Sequence, residues 1–255
     1  MSRRGRKVRP PIRVEICVSD VVSAIAAQVG GAHRVELCDN LAVGGTTPSA
    51  GAIALACRSL SIPVHVLIRP RAGDFVYSAI ELAMMEHDIE VAKNRSAGGI
   101  VLGVLKPDAT IDADRVAELI AVARPLTVTF HKAFDQVRDP FEALETLIAL
   151  GVDRILTSGG RPTALEGTPM LAALVARAKG RLIIMAGGRL LADSLPHVIG
   201  QGHVGEVHLG SAVTGTSAGA THATPGDGSD ASWLRDLARR VEGIVDVVRG
   251  LEQIE

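Results

Sequence analysis

The sequence predicts an α/β fold: a single (β/α)8 barrel of the TIM type, with parallel strands and a flexible basic N-terminal arm. Three observations predict it. Eight short runs rich in β-branched residues alternate with helical patterns along the whole chain. The length of 255 residues is that of one such barrel, and no composition shift marks a domain boundary. The runs also turn polar in their last residues, as parallel strands do when helices cover their outer face and their C-terminal ends open onto a polar rim.

The eight runs are VEICV from Val14, RVELC from Arg34, VHVLIRP from Val64, GIVLGVL from Gly99, LTVTFHKAFD from Leu126, RILTSGG from Arg154, LIIMAGG from Leu182 and EVHLGSA from Glu206. Helix signals fall between them. Ser19-Asp20 opens an Ala-rich helix that stops at Gly30-Gly31, and Pro48 suits the first turn of the second helix. Ser78 leads into a long third helix that ends near Ser96. Asp112 leads into the fourth, and Asp139-Pro140 into a fifth that stops at Gly151. The remaining helices are expected over about 163–178, interrupted at Gly167, about 190–199 and about 230–248. Residues 1–11 are expected to be a disordered arm and 12–255 the barrel domain. Within that domain, the Gly/Ser/Thr/Ala-rich stretch 214–229 is expected to be a flexible loop after strand eight.

Composition narrows the function classes. The hydrophobic fraction of 47% supplies a large core, yet no apolar run approaches the roughly 18 residues of a membrane span. Arg3, Arg4, Arg6, Lys7, Arg9 and Arg13 concentrate basic charge near the N-terminus; without these six, acids outnumber bases 28 to 21. An acidic body with 2% aromatic residues offers neither a basic face nor stacking platforms, which argues against nucleic acid as a partner. Three cysteines, an odd number, argue against a disulfide framework and for a reducing, cytoplasmic compartment. The N-terminus lacks the apolar stretch of a secretory signal.

An acid and a thiol occur together twice, as Glu15/Cys17 and Glu36/Cys38. Side chains alternate along a strand, so each acid shares a face with its thiol, opposite the apolar residues that meet the helices. All four groups are therefore expected inside the barrel near its rim, on neighbouring strands about 4.8 Å apart. The same parity turns His65, Leu67 and Arg69 inward, as it does Thr127, Thr129 and His131. Asp135 follows in a loop, and Ser158 and His208 end strands six and eight. A buried carboxylate needs a cation, and Arg69 is the expected partner of Glu15 or Glu36.

Gly187, Gly188, Gly210 and Ser211 follow strands seven and eight, where barrels of this type present backbone N–H groups to anions. One functional reading is an enzyme acting on a small anionic or phosphorylated metabolite. Here Glu15, Glu36, His131 and Asp135 are the candidate acid/base or charge-partner residues, and Arg69 clamps the anion. No nucleotide cofactor is indicated.

The segments VEICV, RVELC, GGTTPSAG, IRPRAGDFVYS, GVLKPD, VTFHKAFD, ILTSGG and IIMAGG, in this order and spacing, resemble the copper homeostasis family CutC. The resemblance runs from about Ile12 to His208. It implies a barrel, a cytoplasmic copper-handling role, a homo-oligomer (dimer or tetramer), and copper(I) ligation by Cys17 and Cys38. Copper(I) is soft and takes two thiolates readily, whereas a nearby carboxylate would raise a thiol pKa and oppose binding. The sequence departs from the family pattern around the expected mouth: Val43 stands where a Glu is usual, Ala72 and Arg189 where a Gly is, Lys132 for Arg and Gly160 for Gln, and the usual Arg/Tyr/Asn-rich element after strand eight is replaced by 214–229.

Overall fold

The computed structural model describes residues 11–210 and 230–254. The arm up to residue 10, Ser211 and the 214–229 stretch lie outside the described residues, as do the expectations that fall on them. Eight strands form the wall: β1 (Arg13–Val18), β2 (Arg34–Leu37), β3 (Val64–Leu67), β4 (Gly99–Leu102), β5 (Thr127–Phe130), β6 (Arg154–Thr157), β7 (Ile183–Gly187) and β8 (Glu206–Leu209). Each pairs in parallel with its sequence neighbour, and β8 pairs with β1, so the barrel closes and no sheet edge is left.

The helices α1 (Val21–Val29), α2 (Ala50–Ser59), α3 (Ala79–Asn94), α4 (Ala113–Ala123), α5 (Pro140–Ala149), α6 (Thr168–Ala178), α7 (Leu195–Gly202) and α8 (Asp230–Ile254) follow the strands in turn. Several of their starts were legible. The Asp20 carboxylate accepts from Ser23 N at 2.7 Å, Ser78 and Glu81 form a reciprocal capping box, and Asp139 accepts from Phe141 N at 2.8 Å just ahead of Pro140.

Four boundaries differ from expectation. Helix α2 begins after Ser49, whose hydroxyl accepts from Ala52 N at 3.1 Å, so Pro48 precedes the cap instead of occupying the first turn. Gly167 does not interrupt a helix but caps α6; a Cβ there would come within 1.8 Å of the Ser158 carbonyl, so only glycine fits the crossing. Helix α7 starts five residues later than expected because a 3₁₀ turn, Ala192–Ser194, occupies the approach. Helix α8 runs on to Ile254.

Strand parity divides the interior in two. Val14, Ile16, Val18, Val35 and Leu37 join the large apolar core between wall and helices, whereas Cys17 and Cys38 pack inside the barrel with Leu67 and Val101. Full burial of each aliphatic side chain contributes about 1.5–3 kcal/mol. A one-residue slip of β1 would exchange its two faces and forfeit that burial for the whole strand, which fixes the inward direction of Glu15 and Cys17.

Candidate metal centre

The register places Glu15 opposite Arg34 and Cys17 opposite Glu36 on β1 and β2, while β8 sets His208 opposite Glu15. Below the thiols lies an ionic layer. Arg34 pairs through Nε with Glu15 and through Nη2 with Glu206 Oε2 at 2.6 Å, and Arg154 Nε reaches the same Glu206 oxygen at 3.1 Å. All four residues are buried. The cation that Glu15 requires is thus Arg34, its register partner, and not Arg69.

Arg69 lies two residues beyond the end of β3. Its guanidinium donates to the carbonyls of Val43 (3.1 Å), Gly45 (2.7 Å) and Gly73 (2.9 Å) and sits over the Phe75 ring. Arg34, Arg154 and Glu206 escaped the sequence reading, although parity pointed to them: Arg34 and Glu206 stand two residues before Glu36 and His208.

Above the ionic layer, Cys17 Sγ and Cys38 Sγ lie 3.4 Å apart as free cysteines, and Cys38 Sγ stands 3.5 Å from Glu36 Oε2. His208 connects the two layers. Its Nδ1 meets Glu15 Oε1 at 2.7 Å, while Nε2 stands 3.7 Å from Glu36 Oε2. The hydrogen bond from Cys38 and the neighbouring His208 outweigh burial and pull the Cys17 thiol from 9 down to about 5. Cys38 is held well above its usual value by its bond to Cys17 and by burial, and Glu36 is raised by burial and the adjacent Cys17 charge. Burial opposes the charge on His208, but its bonds to Cys17 and Glu15 prevail and raise its pKa. Burial likewise opposes the charge on Glu15, yet Arg34 and His208 hold it low. At neutral pH the centre therefore pairs a Cys17 thiolate with a Cys38 thiol, while Glu36 is biased toward its protonated form and His208 toward an imidazolium anchored on the Glu15 carboxylate. The expectation that a carboxylate raises the thiol pKa holds for Cys38; at Cys17 the second thiol and the imidazolium reverse it.

Two histidines are built differently. His65, with Nε2 3.2 Å from Thr127 Oγ1, is pushed down to about 3 by burial. His131 caps its own 3₁₀ turn, Lys132–Gln136, by accepting from Ala133 N at 3.1 Å through Nδ1. Burial and then Arg69 hold it at about 3. The imidazole is neutral and carries its proton on Nε2, which has no hydrogen-bond partner among the described residues. Its ring fits because residue 103 is glycine; a Cβ there would stand 2.4 Å from its Cε1.

Asp135 is fully engaged in structure. It accepts from Thr157 Oγ1 (2.5 Å), Ser158 N (3.0 Å), Ser158 Oγ (2.9 Å) and Gly160 N (3.0 Å), which shapes the turn after β6. Gly187 packs beside His208, and Gly188 takes φ +118 and accepts from Ala164 N at 2.9 Å.

A cavity of about 1050 Å³ opens above the thiols. Cys17, Glu36, Cys38, Arg69, His131, Lys132, Asp135, Gly188, Arg189, His208 and Gly210 contribute to its wall. The structure therefore gathers most of the anticipated site residues at one mouth. Among the described residues, only the thiols and Glu36 form a compact donor set, with candidate ligand atoms within 4.8 Å of one another.

The model of the CutC family matches residues 12–213. The chain belongs to the CutC family. A human copper homeostasis protein cutC homolog is 47% identical over 201 residues, covering 79% of this chain and 74% of its own. A family protein CutC from Chromobacterium violaceum is 44% identical over 94% of this chain and 96% of its own. Among solved structures, a CutC protein of Streptococcus agalactiae superposes with a TM-score of 0.75 at 37% identity, covering 78% of this chain and 98% of that one. Thiamine phosphate pyrophosphorylase of Pyrococcus furiosus, at 17% identity and a TM-score of 0.61, shares the barrel fold. CutC family membership thus accounts for the scaffold. No described helix is long and apolar enough to cross a membrane.

Proposed function

We propose that this chain binds copper(I) through Cys17 and Cys38 as a cytoplasmic copper homeostasis protein. The observation that carries the reading is the pair of buried sulfurs 3.4 Å apart, one held as thiolate beside an imidazolium. The donor set suits the ion. Two soft sulfurs satisfy copper(I), whereas a closed zinc site would need four ligands. Burial and the adjacent Cys17 disfavour a charge on Glu36, and His208 balances the anionic bis-thiolate that copper binding creates. The affinity of wild type and of the Cys17→Ser, Cys38→Ser double variant, measured by competition with a chromophoric copper(I) chelator, tests this. Stoichiometric, tight binding that survives in the double variant overturns it.

A homo-oligomer, dimer or tetramer, fits the apolar stripe of Val22, Ile25 and Val29 left exposed along α1. Sedimentation of wild type and Val29→Asp tests that assembly.

The cavity favours a second reading, an enzyme acting on a small anionic or phosphorylated metabolite. Arg69 and the Gly188 and Gly210 backbone, with Ser211 beyond the described residues, would receive the anion, and Glu15 would support His208. Glu36, with its pKa raised by burial, would act as acid, while neutral His131 would donate a hydrogen bond without shuttling protons. A metabolite that raises the Tm of wild type but not of Arg69→Ala supports this reading, and a broad screen without a hit removes it.

A further inference from the structure

The cavity is far larger than a bare ion requires, and charge is unevenly spread round its mouth. Asp20 and Asp39 stand beside the thiols after β1 and β2, whereas Arg69, Lys132 and Arg189 follow β3, β5 and β7 round the rest of the mouth. Arg69 is 5% exposed, and no carboxylate pairs with it among the described residues; its partners are three carbonyls and its neighbours are Phe75 and the Tyr77 hydroxyl. A buried cation without an anion is costly. Gly45 connects Arg69 to the metal centre: its carbonyl receives Arg69 Nη1, and a Cβ on it would stand 3.7 Å from Cys38 Sγ.

Lys132 Nζ lies 3.5 Å from Asp135 Oδ2, but four other donors already occupy that carboxylate. Arg189 holds φ +49, a left-handed conformation that disfavours residues other than glycine, at the cavity lip. Such an outlier points to a role for its side chain. The unpartnered His131 Nε2–H adds a neutral donor to the same wall.

We infer that the cavity receives copper(I) as a complex with a small thiol that bears a carboxylate, the carboxylate resting on the Arg69, Lys132 and Arg189 wall while the metal faces the two cysteines. The inference rests on the copper reading and names the form in which the cargo arrives. Transfer is ligand exchange. The bond from the Cys17 thiolate to copper forms as one copper–thiolate bond breaks, and the departing thiolate takes its proton from solvent; at Cys38 the second copper–thiolate bond breaks and the Cys38 thiol proton leaves with that ligand. Copper stays monovalent throughout, so no oxidant or reductant is needed.

The test compares copper(I) uptake from its complex with mercaptosuccinate, an anionic thiol, and from its complex with neutral mercaptoethanol. Wild type and the Lys132→Gln, Arg189→Gly double variant are followed by stopped flow. Arg189→Gly suits the left-handed backbone, so the variant keeps its fold, which circular dichroism checks. The expected result is that the ratio of the anionic-donor rate to the neutral-donor rate falls about tenfold in the variant, the low end of electrostatic effects on association. Salt of about 0.5 M should abolish the difference between the proteins. An unchanged ratio overturns the inference and leaves the copper reading standing. Absence of uptake from both donors in wild type overturns both.

Discussion

His208 Nδ1 lies 2.7 Å from Glu15 Oε1, a contact that spans the closure of the barrel between its last strand and its first. Glu15 is itself tied to Arg34, so the imidazolium beside the thiols is anchored from below. That cation, together with the Cys38 hydrogen bond, keeps Cys17 ionised. In His208→Gln the neutral amide no longer favours the thiolate, and the Cys17 titration should move upward from about 5. A rise of at least about one unit in the midpoint of thiolate absorbance or alkylation against pH is expected, since one unit equals about 1.4 kcal/mol of charge interaction. An unmoved midpoint would assign the low value to Cys38 alone.

The ionic layer makes Arg34 hard to replace. Arg34→Met leaves Glu15 and one side of Glu206 buried without their main cation. Loss of one partner of a buried pair costs about 3–5 kcal/mol. Urea unfolding should show a loss of this size, whereas an exposed pair such as Arg115 with Glu118 should cost less than about 1 kcal/mol.

His65 is neutral in the folded barrel, with its pKa lowered to about 3 from 6.5. The unfolded chain therefore binds a proton that the folded chain refuses. The stability this group contributes is present above about pH 6.5 and is lost as pH falls toward 3. In His65→Gln the dependence of unfolding free energy on pH should be shallower by up to about 1.4 kcal/mol per pH unit between about pH 4 and 5.5. Parallel wild-type and variant curves would show that His65 is not the source. His131, lowered to about 3 as well, should contribute with the same sign.

Arg189 holds a backbone conformation that glycine adopts without penalty. Arg189→Gly alone is therefore expected to preserve or raise stability, by up to about 1 kcal/mol after the entropy of the unfolded glycine is offset. Thermal unfolding of the single variant measures this. A lowered Tm would show that the Arg189 side chain itself holds the lip in place.

Parity made the wall and the four inward groups of β1 and β2 legible, because period-two alternation in a strand buried on both sides leaves polar residues one place to point. The same rule applied to Arg34, Arg154 and Glu206, yet a charged residue at the start of a strand reads locally as a solvated end. Only closure of the barrel turns these three into a mutual network. Arg69 went to backbone carbonyls because it lies past the end of β3, where loops after β2 and β3 converge on it, and loop paths are not written in strand alternation. The reversal of the thiol pKa at Cys17 was beyond reach for a related reason: it depends on how near His208 and Cys38 come, which is a matter of distance and not of sequence order.

Because Arg34, Glu15, Glu206 and Arg154 fill the lower interior, the described residues close the barrel beneath the sulfur pair and leave the cavity above it as the approach. On the copper reading, the ion departs on the side from which it came, so unloading calls for an acceptor that can reach into the same cavity, where arrival and departure compete for room.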